Sequence, residues 1–386
     1  MPDLPLELLG LIADETRDDT ETLFALRLVS KAFKQIATSL AFRVIAVEDR
    51  VESAQAVLSL MQNYDEAITT SVRELVFLGV SGDFGSNDNS ENEGIDALIA
   101  LFSALIKFPN LACLRFHFYE VYAEDCHHGD MPREPSHFLR LQLGIFDALA
   151  TSPLPSTVKT LVLKNIIPVW AEHDIYHRED FRAIFRSLET LEISDIPSEY
   201  EARCEPGYRH FWEANVAAMI RSATSLVSLT IRCAIGPVGV YPTLPFGDIL
   251  LPHLSKLLLQ DFTLEPLVPR CDVLEFIVRH QDTLTHLELH DCSIGSQEPT
   301  GSNSAPRQHE RPWYAIFERF AAELGQLNNF VFKCPDPEWS SGEFPYTALY
   351  PTGGMYVFEQ DVGDRDRDRA ALESLQALVK SRSECL

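Results

Sequence analysis

The stretch Leu284-Thr285-His286-Leu287-Glu288-Leu289-His290-Asp291 carries the pattern on which the fold turns. Side chains alternate across an extended strand, so Leu287 and Leu289 share one face while Glu288 and His290 share the other. The same template, an apolar residue, two others, an apolar residue, one other and a third apolar residue, recurs along the chain. It appears at Val72/Leu75/Phe77, Leu111/Leu114/Phe116, Val158/Leu161/Leu163, Leu188/Leu191/Ile193, Leu226/Leu229/Ile231, Leu254/Leu257/Leu259 and Leu327/Phe330/Phe332. One such motif is weak evidence, because any buried strand can match it. Eight in series indicate a structural repeat.

The middle residues of successive motifs lie 28 to 47 positions apart, mostly longer than common short repeats, so variable elements must fill the gaps. Amphipathic helical patterning covers Ala54 to Tyr64, Ile95 to Phe108, Phe138 to Ala150, Arg178 to Ser187, Phe211 to Ser222, Asp272 to Gln281 and Tyr314 to Leu324. A short strand followed by a returning helix, repeated, makes a parallel sheet curled into an arc with helices outside. The segments Gly79 to Gly94 and Gly295 to Pro312 are polar and rich in Gly, Ser and Asn, and are expected as loops. Near the end, a strand is expected at Tyr356 to Glu359. A helix from Asp368 to Lys380, with Ala370, Leu372, Leu375, Leu378 and Val379 as its apolar residues, then closes the repeat stack.

This pattern resembles a leucine-rich repeat, with one departure. In that family an Asn or Cys ninth in the motif ties the turn to its neighbour. Here the polar residue stands eighth, as Asn165, Asp195, Cys233, Asp261, Asp291 or Cys334. An ideal asparagine ladder is therefore not expected.

The first 48 residues differ from the rest. Leu4, Leu8, Leu9 and Ile12 form one helical stripe, Leu23, Leu26 and Val29 a second, and Ser30 stands where it would cap a third helix carrying Phe33, Ile36, Ala37 and Leu40. Three short helices cannot cover this many large apolar side chains among themselves, so another surface must do it. The string Leu4-Pro5-Leu6-Glu7-Leu8-Leu9, then Leu26-Arg27-Leu28-Val29-Ser30-Lys31-Ala32-Phe33, resembles an F-box, with Phe33 where many members carry Trp. The resemblance implies a three-helix F-box over residues 1–48 and a repeat domain with a terminal cap over 49–386. It further implies docking on a Skp-type adaptor, and through it a cullin ligase, by Leu4, Pro5, Leu8, Ile12, Leu26, Val29, Ser30 and Phe33. The chain is then expected to be a non-catalytic substrate-recognition subunit of an SCF-type ubiquitin ligase. The same architecture also serves ligand-gated receptors and scaffold proteins outside any ligase.

The fold class expected is α/β, an F-box followed by an irregular leucine-rich-repeat solenoid. Within it, the seventh position of each motif faces away from the core. Its occupants are Leu78, His117, Lys164, Ser194, Arg232, Gln260, His290 and Lys333, with no acid among them although Asp and Glu outnumber Lys and Arg by 57 to 32. His117, Lys164, Arg232, His290 and Lys333 are the candidate substrate-binding residues, suited to an acidic or phosphorylated segment. Pairing with Glu192 and Glu288 in the fifth position would absorb part of that charge.

Composition narrows the alternatives. A net charge of −25 repels nucleic-acid phosphates and anionic lipid, so neither is an expected partner. The eight cysteines are scattered without a C-x-x-C pair, and no signal peptide is evident, which points to reduced thiols in the cytoplasm or nucleus. The longest apolar run, Ala97 to Ile106, is half of the roughly 20 residues a membrane span needs. No phosphate-binding loop, nucleophile elbow or zinc-protease motif is present, so catalysis is not expected and no cofactor is implied. Cys126, His127 and His128 with Asp125 and Asp130, and His173 and His177 with Asp174 and Asp180, offer metal-ligand types without a closed four-ligand spacing. Both are read as loop residues, not as metal sites.

Overall fold

The computed structural model describes residues 5–17, 19–62, 66–80, 88–119, 137–168, 174–195, 206–233, 238, 243–264, 273–297, 312–334, 343–350, 355–358 and 364–384. The chain packs as two units, Met1–Glu120 with Arg133–Lys164, and Val121–Pro132 with Asn165–Leu386. Both are α/β with parallel strands.

The first unit opens with α1 (Leu6–Glu15), α2 (Thr20–Val29) and α3 (Lys31–Ala41). Asp19 caps α2 by accepting the N–H of Thr22, and Ser30 caps α3 by accepting that of Phe33 at 3.2 Å. Strand β1 (Val44–Glu48) follows, then α4 (Val51–Gln62), α5 (Glu66–Thr69), β2 (Glu74–Leu78), α6 (Asp88–Ser103), β3 (Cys113–His117), α7 (His137–Thr151) and β4 (Thr160–Ile166). The strands β1 to β4 pair in sequence order, all parallel. Residues 44–48, read from the sequence as the end of the helical segment, are thus the first strand of a sheet. Phe42/Ile45/Val47 repeats the apolar template once more, its first position doubling as the residue that ends α3.

Register turns the motif into columns. Ile45, Leu75, Leu114 and Leu161 lie side by side and buried, as do Val47, Phe77, Phe116 and Leu163. Rings of Phe77, Phe102, Phe116, Phe118 and Phe146 meet beneath them with neighbouring centroids 5.2 to 6.4 Å apart.

The second unit contains α8 (Glu179–Phe185), β5 (Thr190–Asp195), α9 (Pro206–His210) leading through a π-helical stretch (Phe211–Val216) into α10 (Ala217–Ser222), β6 (Ser228–Arg232), β7 (Lys256–Gln260), α11 (Val273–Arg279), β8 (His286–His290), β9 (Ile294–Gln297), α12 (Trp313–Glu323), β10 (Asn329–Lys333), β11 (Tyr346–Tyr350), β12 (Met355–Phe358) and α13 (Arg365–Ser383). Strands β5, β6, β7, β8 and β10 pair in that order, all parallel. A second sheet pairs β9 parallel with β11 and β11 antiparallel with β12.

The displaced polar residue of the repeat has a backbone cause. Asn165, Asp261 and Asp291 have φ of 59°, 57° and 54°, the left-handed region that Asn and Asp tolerate best after Gly. The N–H of Asp261 still reaches the His290 carbonyl (3.0 Å), and that of Asp291 reaches the Lys333 carbonyl (2.9 Å). The eighth residue therefore ends the ladder and turns the chain, after which Ser293 bridges to Thr263 and β9 joins the second sheet.

Two expected loops are partly regular. The Gly79 to Gly94 stretch contains the start of α6 at Asp88, because acidic and Asn residues suit a helix N-terminus as well as a loop. Gly295 to Gln297 of the other stretch belong to β9, whose partner lies some fifty residues onward at Tyr346–Leu349 and leaves no local signal. Residues 81–87 and 298–311 lie outside the described residues. The helix expected at Phe211 to Ser222 begins with the π-helical turn instead of regular α geometry.

The final helix exceeds its expected bounds at both ends. Leu372, Leu375 and Val379 are buried as expected, but Ala370 is exposed and Asp368 is buried in its place. Arg382 donates to the carbonyls of Leu324 (2.7 Å) and Ala321 (3.4 Å), at the C-terminal end of α12, while Asp368 reaches its N-terminal end. α12 and α13 thus run parallel, with α13 satisfying backbone groups at both ends of its neighbour.

Candidate functional site

Two kinds of surface answer to the candidate residues, one on the N-terminal helices and one on the outward sheet face of each unit. The first is helical. Along α1, Leu9 and Ala13 are buried, four residues apart on the inward face. Leu8, Leu11 and Ile12, at helical spacing on another face, remain exposed at 45%, 60% and 41%. Leu9 is therefore turned away from the stripe assigned to it with Leu8 and Ile12. On α2, Leu23 is buried, Leu26 is half-buried, and Leu28 and Val29 are exposed at 89% and 67%. Eleven large apolar side chains are exposed among the described residues, and seven of them lie between Leu6 and Val29. Isolated exposed leucines are ordinary, but this concentration marks a surface built to be covered.

The remaining candidates here hold the helices in place. The Pro5 carbonyl accepts the N–H of Leu8 (3.0 Å) and Leu9 (3.2 Å), starting α1. Phe33 is half-buried, and Ser30 spends its hydroxyl on the α3 cap. Leu4 lies outside the described residues. Arg27, between these positions, sets its guanidinium 4.8 Å from the Phe42 ring centroid and 5.4 Å from that of Phe24, and donates to Thr38 at 3.0 Å. Leu6, Leu11, Phe24 and Leu28 were not singled out from the sequence. Their signal was present in an excess of apolar residues too large for one helical stripe.

The second surface is the sheet face opposite the core. In the first unit the register sets His117 beside Lys164, and Arg115 is ion-paired with Glu74 (2.5 Å) in the adjoining columns. In the second unit the seventh column runs Ser194, Arg232, Gln260, His290 and Lys333 across paired strands. Its charge is partly matched on the sheet. Arg232 lies 3.4 Å from Glu192 and donates to the side-chain amide oxygen of Gln260 at 2.9 Å.

Glu288 stands between two imidazoles of its own strand. His286 Nε2 donates to its Oε1 at 2.7 Å, and His290 Nε2 lies 2.9 Å from its Oε2. Burial alone would raise the Glu288 pKa, but the His286 hydrogen bond and the two imidazoles hold it below the usual carboxylate value. Burial lowers the pKa of His290, and the Lys333 and Arg232 charges push the same way against Glu288. The side chains of these pairs are only 12–25% exposed, so the trio is set into the face and largely out of solvent.

Of the weaker metal candidates, only Asp174, His177 and Asp180 lie among the described residues. Residues 125–130 and His173 lie outside the described residues. His177 Nδ1 is 3.1 Å from Arg182 Nη2, and Asp180 is held by Arg178 at 2.6 Å. No group of three His, Cys, Asp or Glu side chains among the described residues is disposed to hold a metal ion. No described helix is long and apolar enough to cross a membrane. No protein-family model and no curated protein matches this chain.

Proposed function

We propose that this chain is a non-catalytic substrate-recognition subunit of an SCF-type ubiquitin ligase. Its three N-terminal helices are an F-box that docks a Skp-type adaptor, and its repeats, of an irregular leucine-rich kind, receive the target protein. The observation that carries the reading is the outward apolar set on α1 and α2, including Leu8, Ile12 and Val29, on helices whose inward residues are already buried. Partner binding removes such surface from water at roughly 25 cal/mol per Å² before the costs of association. The repeats then raise the concentration of the target near the transferring enzyme, which needs no bond chemistry in this chain.

Co-purification with a Skp-type adaptor tests the reading, comparing the native chain with a Val29→Asp, Phe33→Ala variant. A stable complex lost in the folded variant supports it. Absence of a complex with the native chain would leave a scaffold outside any ligase. For the target side, Lys164→Ser, Arg232→Ser and Lys333→Ser together are expected to weaken target capture without unfolding.

A further inference from the structure

On the exposed face of β5, β6, β7, β8 and β10, Lys256, Arg232 and Lys333 are the cations. Against them stand Glu192 and Glu288 on the face and Asp195, Asp261 and Asp291 at its edge. With neutral imidazoles this group carries net negative charge, which protonation of His286 and His290 cancels. Their position makes them effective. Each holds Nε2 within 2.9 Å of one oxygen of Glu288, so protonation neutralises the carboxylate nearest an incoming anion. His290 also lies in the row between Gln260 and Lys333, where its added charge joins an exposed cation.

We infer that this face is a proton-linked site for an acidic peptide segment, which it takes up more tightly when His286 and His290 become protonated. The inference rests on the reading of the sheet face as the target-binding surface and adds its regulation. An extended acidic chain suits the site because Arg232, protonated His290 and Lys333 stand in one row that crosses strands about 4.8 Å apart, a direction that carboxylates along a peptide can follow. The lowered pKa of His290 sets the response on the acid side of the ordinary histidine range, and a bound carboxylate draws that pKa back up.

The test is fluorescence anisotropy of a labelled octaglutamate peptide with the full chain at pH 7.5 and 5.5, at constant ionic strength. The peptide stays largely ionised over this range, since glutamate titrates at about 4.3. Binding is expected to tighten about fivefold at the lower pH, the scale of one solvent-facing ion pair. A His286→Gln, His290→Gln variant is expected to bind with little pH response, which separates these residues from the general loss of negative charge in the protein. Equal pH responses in native chain and variant would overturn the inference while leaving the target-face reading intact. Failure of the peptide to bind at either pH would overturn both. Should the variant not fold, histidine-selective NMR titration of the native chain decides: peptide must raise an imidazole pKa, and an unchanged titration overturns the inference.

Discussion

The carboxylate of Asp368, on α13, accepts the backbone N–H of Tyr314 at the start of α12 across 2.8 Å. Its second oxygen accepts the Tyr346 hydroxyl at 3.0 Å, and that hydroxyl in turn accepts the Trp313 N–H at 3.1 Å. One buried side chain thus satisfies the start of a helix and a strand residue of the second sheet. Asp368→Ala leaves the Tyr314 N–H and Tyr346 hydroxyl without this acceptor and is expected to lower stability by about 1–3 kcal/mol. Asp368→Asn keeps an acceptor and is expected to lose less, as read by urea denaturation.

His280 provides a pH dependence with a defined sign. It is buried, its Nδ1 lies 2.7 Å from the Phe276 carbonyl, and its Nε2 accepts the Leu251 N–H at 3.1 Å. That bonding requires a neutral ring protonated on Nδ1. Burial lowers the folded-state pKa below the ordinary histidine value. The resulting stability is present above the unfolded value and lost as pH falls through the depressed one. The urea midpoint of the native chain is expected to fall from pH 7.5 to 5, with a shallower fall in His280→Gln.

Gly79, eighth in its motif, is required by close approach. A Cβ there would sit 3.0 Å from the Tyr119 backbone nitrogen and 3.1 Å from the Phe118 carbonyl carbon. Backbone cannot rotate aside as a side chain can. Gly79→Ala is expected to cost about 1–3 kcal/mol, measured by thermal unfolding against the native chain.

Ser30 separates folding from docking. Because its hydroxyl caps α3, Ser30→Ala is expected to cost about 0.5–2 kcal/mol, while Ser30→Asp preserves the cap. Circular dichroism melts of the two variants check the order. An adaptor complex with Ser30→Asp as strong as the native one would assign Ser30 to the cap alone.

The sequence by itself determined the strand faces and the parallel α/β class, because a two-residue alternation such as Leu287/Leu289 has only one buried solution. It also marked Ser30 as a cap and located a polar turn residue at the eighth position, both local properties of a few adjacent residues. Tertiary structure alone decided the rest. That Leu9 turns inward while Leu8 and Ile12 stay exposed depends on where α3 packs. That Glu192 meets Arg232, forty residues away, depends on strand register. The second sheet and the Asp368 bridge join segments whose local composition announces neither partner. Such pairings depend on which distant backbone groups need satisfying, and that is settled only when the chain has packed.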